Sequence, residues 1–199
     1  MNILYFKEIK KAADRYELDP LMVASVVRAE SNFKADAVSR VGAKGLMQLM
    51  PNTDKWLDDD IDGFDVEGNL DNGCRYLDWL KKYFNKRFPE IIGMDLWRIV
   101  WAGYNAGQGN IKKALELAKV NSLWYQFDIW KKYLPEVTGK HSEETTGYVK
   151  KIDKFWTEYK AESQSDFQQG VLISREQLIC LDELLQNIQK LLSQFREKE

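Results

Sequence analysis

Apolar positions recur along this chain at helical spacing. Ile3, Phe6, Ile9, Ala13 and Tyr16 mark a first amphipathic helix. A second runs from Pro20 to about Ser31, with Asp19 suited to its N-cap and Pro20 to its first position. Asn32 to Ala43 is polar and contains a Gly, so it reads as a loop. Leu46 to Met50 is a short apolar run stopped by Pro51. An acidic loop, Asp58 to Gly68, precedes a helix over Leu70 to Phe84 with Leu70, Tyr76, Leu77, Leu80 and Phe84 among its apolar positions. Leu96 to Tyr104 predicts an aromatic-rich helix, Ile111 to Val120 another, and Asp153 to Tyr159 continues the pattern with Phe155, Trp156 and Tyr159. Strand-like alternation is absent. The expected class is mainly α, with room in the loops for a short β-hairpin.

One charged residue interrupts the second helix's apolar face. At about 100° per residue from Leu21, Met22, Val23, Val26 and Val27 share an arc of roughly 100° to 240°, and Glu30 falls inside it at about 180°. Ser25 and Arg28 are expected to point the other way. A carboxylate at the end of an apolar stripe is partly desolvated, which raises its pKa and makes it a proton donor near neutrality. The alternative is a helix-ending carboxylate turned into solvent.

The chain's end has a different character. Ser163 to Gly170 reads as a linker, Ser174-Arg175-Glu176-Gln177 as a capping box, and Leu178, Leu181, Leu185, Ile188, Leu192 and Phe195 as a heptad-like seam. The expected organisation is a domain over 1–162, a linker over 163–173 and an amphipathic helix over 174–199. Fewer than three heptads is short for an independent coiled coil, so folding back onto the domain is the preferred expectation. Pairing with a second copy or with a protein partner is the alternative.

Composition narrows the function. A hydrophobic content of 44% in 199 residues supports a real core. The net charge of -2 gives no basic field for nucleic acid or an anionic membrane. No apolar run approaches a membrane span. Cys74 and Cys180 make neither a disulfide framework nor a zinc site, and the lone histidine, His141, excludes a His-rich metal centre. His141 lies in a polar run and reads as an exposed loop residue. Met1 to Glu8 lacks the features of a signal peptide, so the expectation is either a cytoplasmic start or a leader already removed. Asp58-Asp59-Asp60-Ile61-Asp62-Gly63 fits the opening of a calcium loop. Its twelfth position is Asn69 rather than a bidentate Glu, so a solvated acidic loop is the better reading, and no metal is expected.

Five short motifs occur in order: Ala29-Glu30-Ser31-Asn32-Phe33; Val38 to Thr53, containing Gly45-Leu46-Met47-Gln48-Leu49-Met50-Pro51; Asn69 with Gly73 and Tyr76-Leu77; Tyr104-Asn105-Ala106-Gly107-Gln108-Gly109; and Glu144-Thr145-Thr146-Gly147-Tyr148-Val149. This set resembles the catalytic domain of soluble lytic transglycosylases, glycoside hydrolase family 23, related to goose-type lysozymes. It covers roughly Pro20 to Ile152.

The resemblance implies a lysozyme-like helical fold and cleavage of the MurNAc-β-1,4-GlcNAc bond of peptidoglycan, leaving 1,6-anhydromuramic ends. It implies no cofactor, a peptidoglycan glycan strand as partner, and a place in the cell envelope, by a route the sequence leaves open. Glu30 matches the family's catalytic acid. Ser39, Met47 and Gln48 match positions lining the sugar cleft, Tyr104 a tyrosine near the reacting sugar with Asn105 beside it, and Glu144 and Tyr148 the closing motif. In the family scheme one carboxyl group suffices, because the substrate's acetamido group and its own 6-hydroxyl supply the nucleophiles. A hydrolytic muramidase on the same fold, and a weakly catalytic wall-binding or scaffold protein, are the rivals. Two departures stand out. Gly103 replaces the usual Ala and is expected to loosen helix packing. Lys140 to Glu143 lacks the usual proline, which affects the path leading to Glu144.

Overall fold

The structure, a computed structural model, describes residues 2–57 and 62–166. The larger compact unit spans Asn2–Thr157; the second begins at Glu158, and its described residues, 158–166, are helical. The expected calcium-like segment falls largely on 58–61, outside the described residues. The seam over 174–199 lies outside them as well. Residues 163–166, where the linker was expected to begin, are still helical.

Eight α-helices come first: α1 (Phe6–Arg15), α2 (Pro20–Glu30), α3 (Pro51–Leu57), α4 (Val66–Arg87), α5 (Gly93–Ala106), α6 (Gln108–Ala118), α7 (Phe127–Trp130) and α8 (Leu134–Thr138). Short 3-10 turns flank α8, and the final helix among the described residues, α9, runs over 142–166, of which 142–157 belong to the larger unit. No strand forms among the described residues. Two isolated bridges, Val38 with Lys44 and Lys44 with Leu49, stand where a hairpin was allowed for.

α2 runs through the centre. Asp19 caps it as expected, its side chain accepting from the Leu21 amide at 2.8 Å, with Pro20 in the first turn. The one-faced reading of α2 is corrected, because the helix is buried nearly all round. Met22, Val23, Ala24, Val26 and Val27 are fully buried, and so is Ser25. Ser25 satisfies its hydroxyl by donating to the Leu21 carbonyl at 2.7 Å, so a polar residue enters the core at little cost. α1 packs on α2 and α4, α4 on α5, and α5 on α6.

α4 is longer than the predicted Leu70–Phe84. Asp65 caps its start by accepting from the Gly68 amide at 2.6 Å, which brings the end of the acidic loop into the helix. Gly103, expected to loosen packing, does the reverse. A Cβ there would lie 2.7 Å from Phe84 Cε2, so the missing methyl lets the Phe84 ring seat against α5. α9 is tied to the N-terminal half by Trp156, whose indole N–H donates to Asp19 at 2.9 Å. Arg98 of α5 pairs with Asp153 at 2.8 Å.

Pro51 does more than stop the preceding run, since it opens α3. Buried Asp54 of α3 accepts from Asn72 of α4 at 2.8 Å, anchoring the short helix. Asn69 is the clasp of this region. Its amide oxygen accepts from the Met47 N–H at 2.8 Å, and its amide nitrogen donates to the carbonyls of Lys44 (3.1 Å) and Gly63 (3.0 Å). One side chain thus fixes two loop segments, 44–47 and the one at Gly63, that lack a ladder of their own.

Candidate active site

Glu30 ends α2, where a helix buried over most of its length gives way to the partly exposed residues Arg28, Ala29 and Glu30. Tyr148 of α9 donates its phenol proton to Glu30 Oε1 at 2.5 Å, across 118 residues of sequence. Burial pushes the Glu30 carboxyl up from 4.5 to about 7. The Tyr148 hydrogen bond and the nearby Lys151 charge restrain that rise, while Glu144 adds to it. Desolvation wins because the carboxyl lies among apolar core and phenol rings, with one donor and one lysine against it. Tyr104 and Tyr148 are both held well above the ordinary tyrosine value, first by burial and then by Glu30's charge. Both phenols therefore keep their protons, and Tyr148 remains a donor. A carboxyl group poised near neutrality, with a donor ready to stabilise its anion, can give up a proton and take one back.

Tyr104 closes one side of this cluster. Its hydroxyl donates to the Met47 carbonyl at 2.8 Å, and its ring lies 5.2 Å from that of Tyr76. Met47 is fully buried, so its side chain packs rather than lining an open cleft; its backbone carbonyl is what meets Tyr104. A Cβ at Gly73 would fall on the Met47 sulfur, so this packing needs glycine at 73. Gln48 adopts a left-handed backbone, φ 47°, and its amide nitrogen donates to the carbonyls of Ala37 (3.0 Å) and Gly45 (2.9 Å). Both its N–H groups are thereby used within the loop, and only its side-chain oxygen remains to meet another molecule. Ser39 is likewise committed to its own turn. Its hydroxyl oxygen accepts from the amides of Ala43 (2.9 Å) and Val41 (3.3 Å).

Asn105 and Glu144 meet in a recess of about 280 Å³ that also takes in Asn110, His141 and Thr145. Thr145 donates to the Asn105 side-chain oxygen at 2.8 Å, which fixes the amide and frees its N–H groups. Glu144 is 69% exposed, with His141 Nδ1 at 3.6 Å. The path questioned by the missing proline is a 3-10 turn, Gly139–His141, leading directly into α9.

The structure therefore brings Glu30, Tyr104 and Tyr148 together, with the Met47 carbonyl beneath Tyr104, and groups Asn105 with Glu144. It gives Ser39 and Gln48 duties in shaping the loop. Sequence reasoning missed Lys151, whose ammonium donates to the Ala29 carbonyl at 3.1 Å and so sits at the C-terminal end of α2, beside the carboxyl. The signal was its spacing, three residues after Tyr148 on one helix.

A family model described as the transglycosylase SLT domain matches residues 7–127. A membrane-bound lytic murein transglycosylase F from Desulfosudis oleivorans is 39% identical over 113 residues, 56% of this chain and 24% of that protein. A membrane-bound lytic murein transglycosylase C from Histophilus somni is 28% identical over 186 residues, 81% of this chain and 47% of that protein. The chain thus spans about half or less of the length of these relatives. Among solved structures, an inactive mutant of the lytic transglycosylase Slt from Pseudomonas aeruginosa superposes with a TM-score of 0.65 at 26% identity, covering 81% of this chain and 25% of that one. The architecture is the mainly α, lysozyme-like one.

Proposed function

The chain belongs to the transglycosylase SLT domain family, and from that membership we propose that it is a peptidoglycan lytic transglycosylase with Glu30 as its single acid and base. The observation that carries this reading is the partly buried Glu30 carboxyl, hydrogen-bonded by Tyr148 at 2.5 Å and raised to about 7 by desolvation. Glu30 protonates the oxygen of the MurNAc-β-1,4-GlcNAc bond, and the leaving sugar departs with that proton. The muramic 2-acetamido oxygen stabilises the electron-poor anomeric carbon. Glu30, now a carboxylate steadied by Tyr148, removes the proton of the 6-hydroxyl, whose oxygen closes on the anomeric carbon to give the 1,6-anhydro ring. Each turnover returns Glu30 to its starting state. The acid–base work is worth about 10²–10⁴ in rate, and holding the 6-hydroxyl in place adds a proximity contribution.

The other matched residues take supporting roles. Asn105, with its N–H groups free, and Glu144 bind polar groups of the glycan beside the reacting bond. Gln48 offers its side-chain oxygen to an N–H or O–H of a sugar. Ser39, Met47 and Tyr104 shape the loop and wall against which the strand lies. The cell envelope is the place of action on this reading. Among the described residues no helix is long and apolar enough to cross a membrane.

Mass spectrometry of muropeptides from purified walls is the test. Anhydro ends are expected with the intact chain and none with Glu30→Gln. Reducing ends in their place would make the protein a hydrolytic muramidase, and undiminished cleavage by Glu30→Gln would remove Glu30 from the chemistry.

A further inference from the structure

Aromatic contacts continue beyond Tyr104, away from Glu30. Tyr104 leads to Tyr76, and Tyr76, Trp79 and Tyr83 share one face of α4. Their planes differ by 17° and 25°, with centroids 6.0 and 5.4 Å apart, so they form offset stacks that leave part of each ring uncovered. Trp56 of α3 meets Trp79 edge-on at 5.2 Å and is itself 57% exposed. Tyr76, Trp79 and Tyr83 are only half-buried, and a contiguous partly exposed aromatic row on a protein with ample core marks a binding surface.

The row ends in charge. The Arg87 guanidinium lies 4.8 Å over the Tyr83 ring. Tyr83, Lys86 and Arg87 of α4 face Lys112 and Glu116 of α6 across a groove of about 550 Å³. Lys86, Arg87 and Lys112 form no ion pair among the described residues, whereas Glu116, the groove's carboxylate, is engaged by Lys119 at 3.1 Å. The groove is therefore locally cationic on a chain whose net charge is -2.

We propose that the Tyr76–Trp79–Tyr83 row and the Lys86–Arg87–Lys112 groove form an accessory site for a stem-bearing peptidoglycan strand. Sugar C–H faces lie against the rings, and a peptide-stem carboxylate sits among the cations. This rests on the peptidoglycan reading above and adds a preference to it. β-linked sugars present apolar faces that suit aromatic rings, and the peptide stems on muramic residues are rich in carboxylates. A guanidinium already stacked on a ring offers a planar fork that a carboxylate meets at two points. The groove thus selects strands that still carry their stems.

Calorimetric binding to the Glu30→Gln chain, which holds strands without cutting them, tests this. The probes are glycan strands with stems and the same strands stripped by an amidase, with the lactyl carboxylates so exposed then capped as amides. Arg87→Ala with Lys112→Ala is expected to weaken stem-bearing strands about tenfold and leave stripped strands unchanged. Trp79→Ala is expected to weaken both. Equal binding of the two probes by the parent chain, or equal loss of both in the Arg87/Lys112 variant, overturns the proposal. The outcomes separate the two readings. Stem selectivity without anhydro products sinks the catalytic assignment alone, and anhydro products without stem selectivity sink the accessory site alone.

Discussion

Glu30 behaves as it does because its burial and its neighbours act on it unequally. Desolvation raises its pKa, while Tyr148 and Lys151 pull against that rise. The raised value has a consequence for stability. Below about pH 4.5 the group is protonated both folded and unfolded and exerts no penalty. As pH climbs, the unfolded chain ionises first, so stability falls until Glu30 itself ionises near 7. Glu30→Gln should therefore match the parent in urea melts at pH 4 and exceed it by up to about 3 kcal/mol at pH 8. In the parent, kcat/KM should decline about tenfold per pH unit above 7, as the proton donor is lost. Tyr148→Phe should carry that decline to higher pH, because the anion loses its donor. It should also lower the plateau rate about ten- to hundredfold, the worth of a hydrogen bond to a charged group. A pH–rate profile of both chains decides this, since a merely structural Tyr148 would lower the rate and leave the profile in place.

Helix contacts set the frame for those residues, and one of them turns on a single missing methyl. Gly103→Ala would drive a Cβ to 2.7 Å from the Phe84 ring and force α4 and α5 apart. It should cost about 1–3 kcal/mol of stability in chemical denaturation. Gly103→Ala combined with Phe84→Leu should recover part of that loss. The helices themselves were legible in the sequence, because α2, α4, α5 and α6 carry apolar residues at helical spacing and Asp19 caps α2. Three things were not. Ser25 looked outward on a helical wheel, yet it is buried, because a hydroxyl can satisfy itself on its own helix. α3 and the Asn69 clasp depend on partners distant in sequence, which no local window contains. Gly103 read as a defect because the ring that fills its place is 19 positions earlier, on another helix.

Across the whole larger unit, the site joins the second helix to the last. The family match ends at residue 127, while Tyr148 and Lys151 lie beyond it on α9. Glu30 stood out on α2 as a carboxylate within an apolar arc, but Tyr148, which holds it, was legible only through the closing motif, and Lys151 only as a spacing beside that motif. A chain ending at residue 140 keeps Glu30 and Tyr104 yet loses Tyr148, Lys151 and the Trp156 bond to Asp19. It should release no anhydromuropeptides, and its melting temperature should fall. A chain ending at residue 166 keeps all of these contacts and should cleave walls like the full chain. A muropeptide assay of the two truncations checks the pair.

Placing Tyr148 and Lys151 so late in the polypeptide also sets when Glu30 acquires its surroundings. A ribosome extrudes α2 long before α9, and domains form as their parts emerge. During that interval Glu30 is an ordinary hydrated carboxylate with neither phenol nor ammonium beside it. On the catalytic reading proposed above, the nascent protein carries its cutting group disarmed, and translation of α9 is the event that arms it.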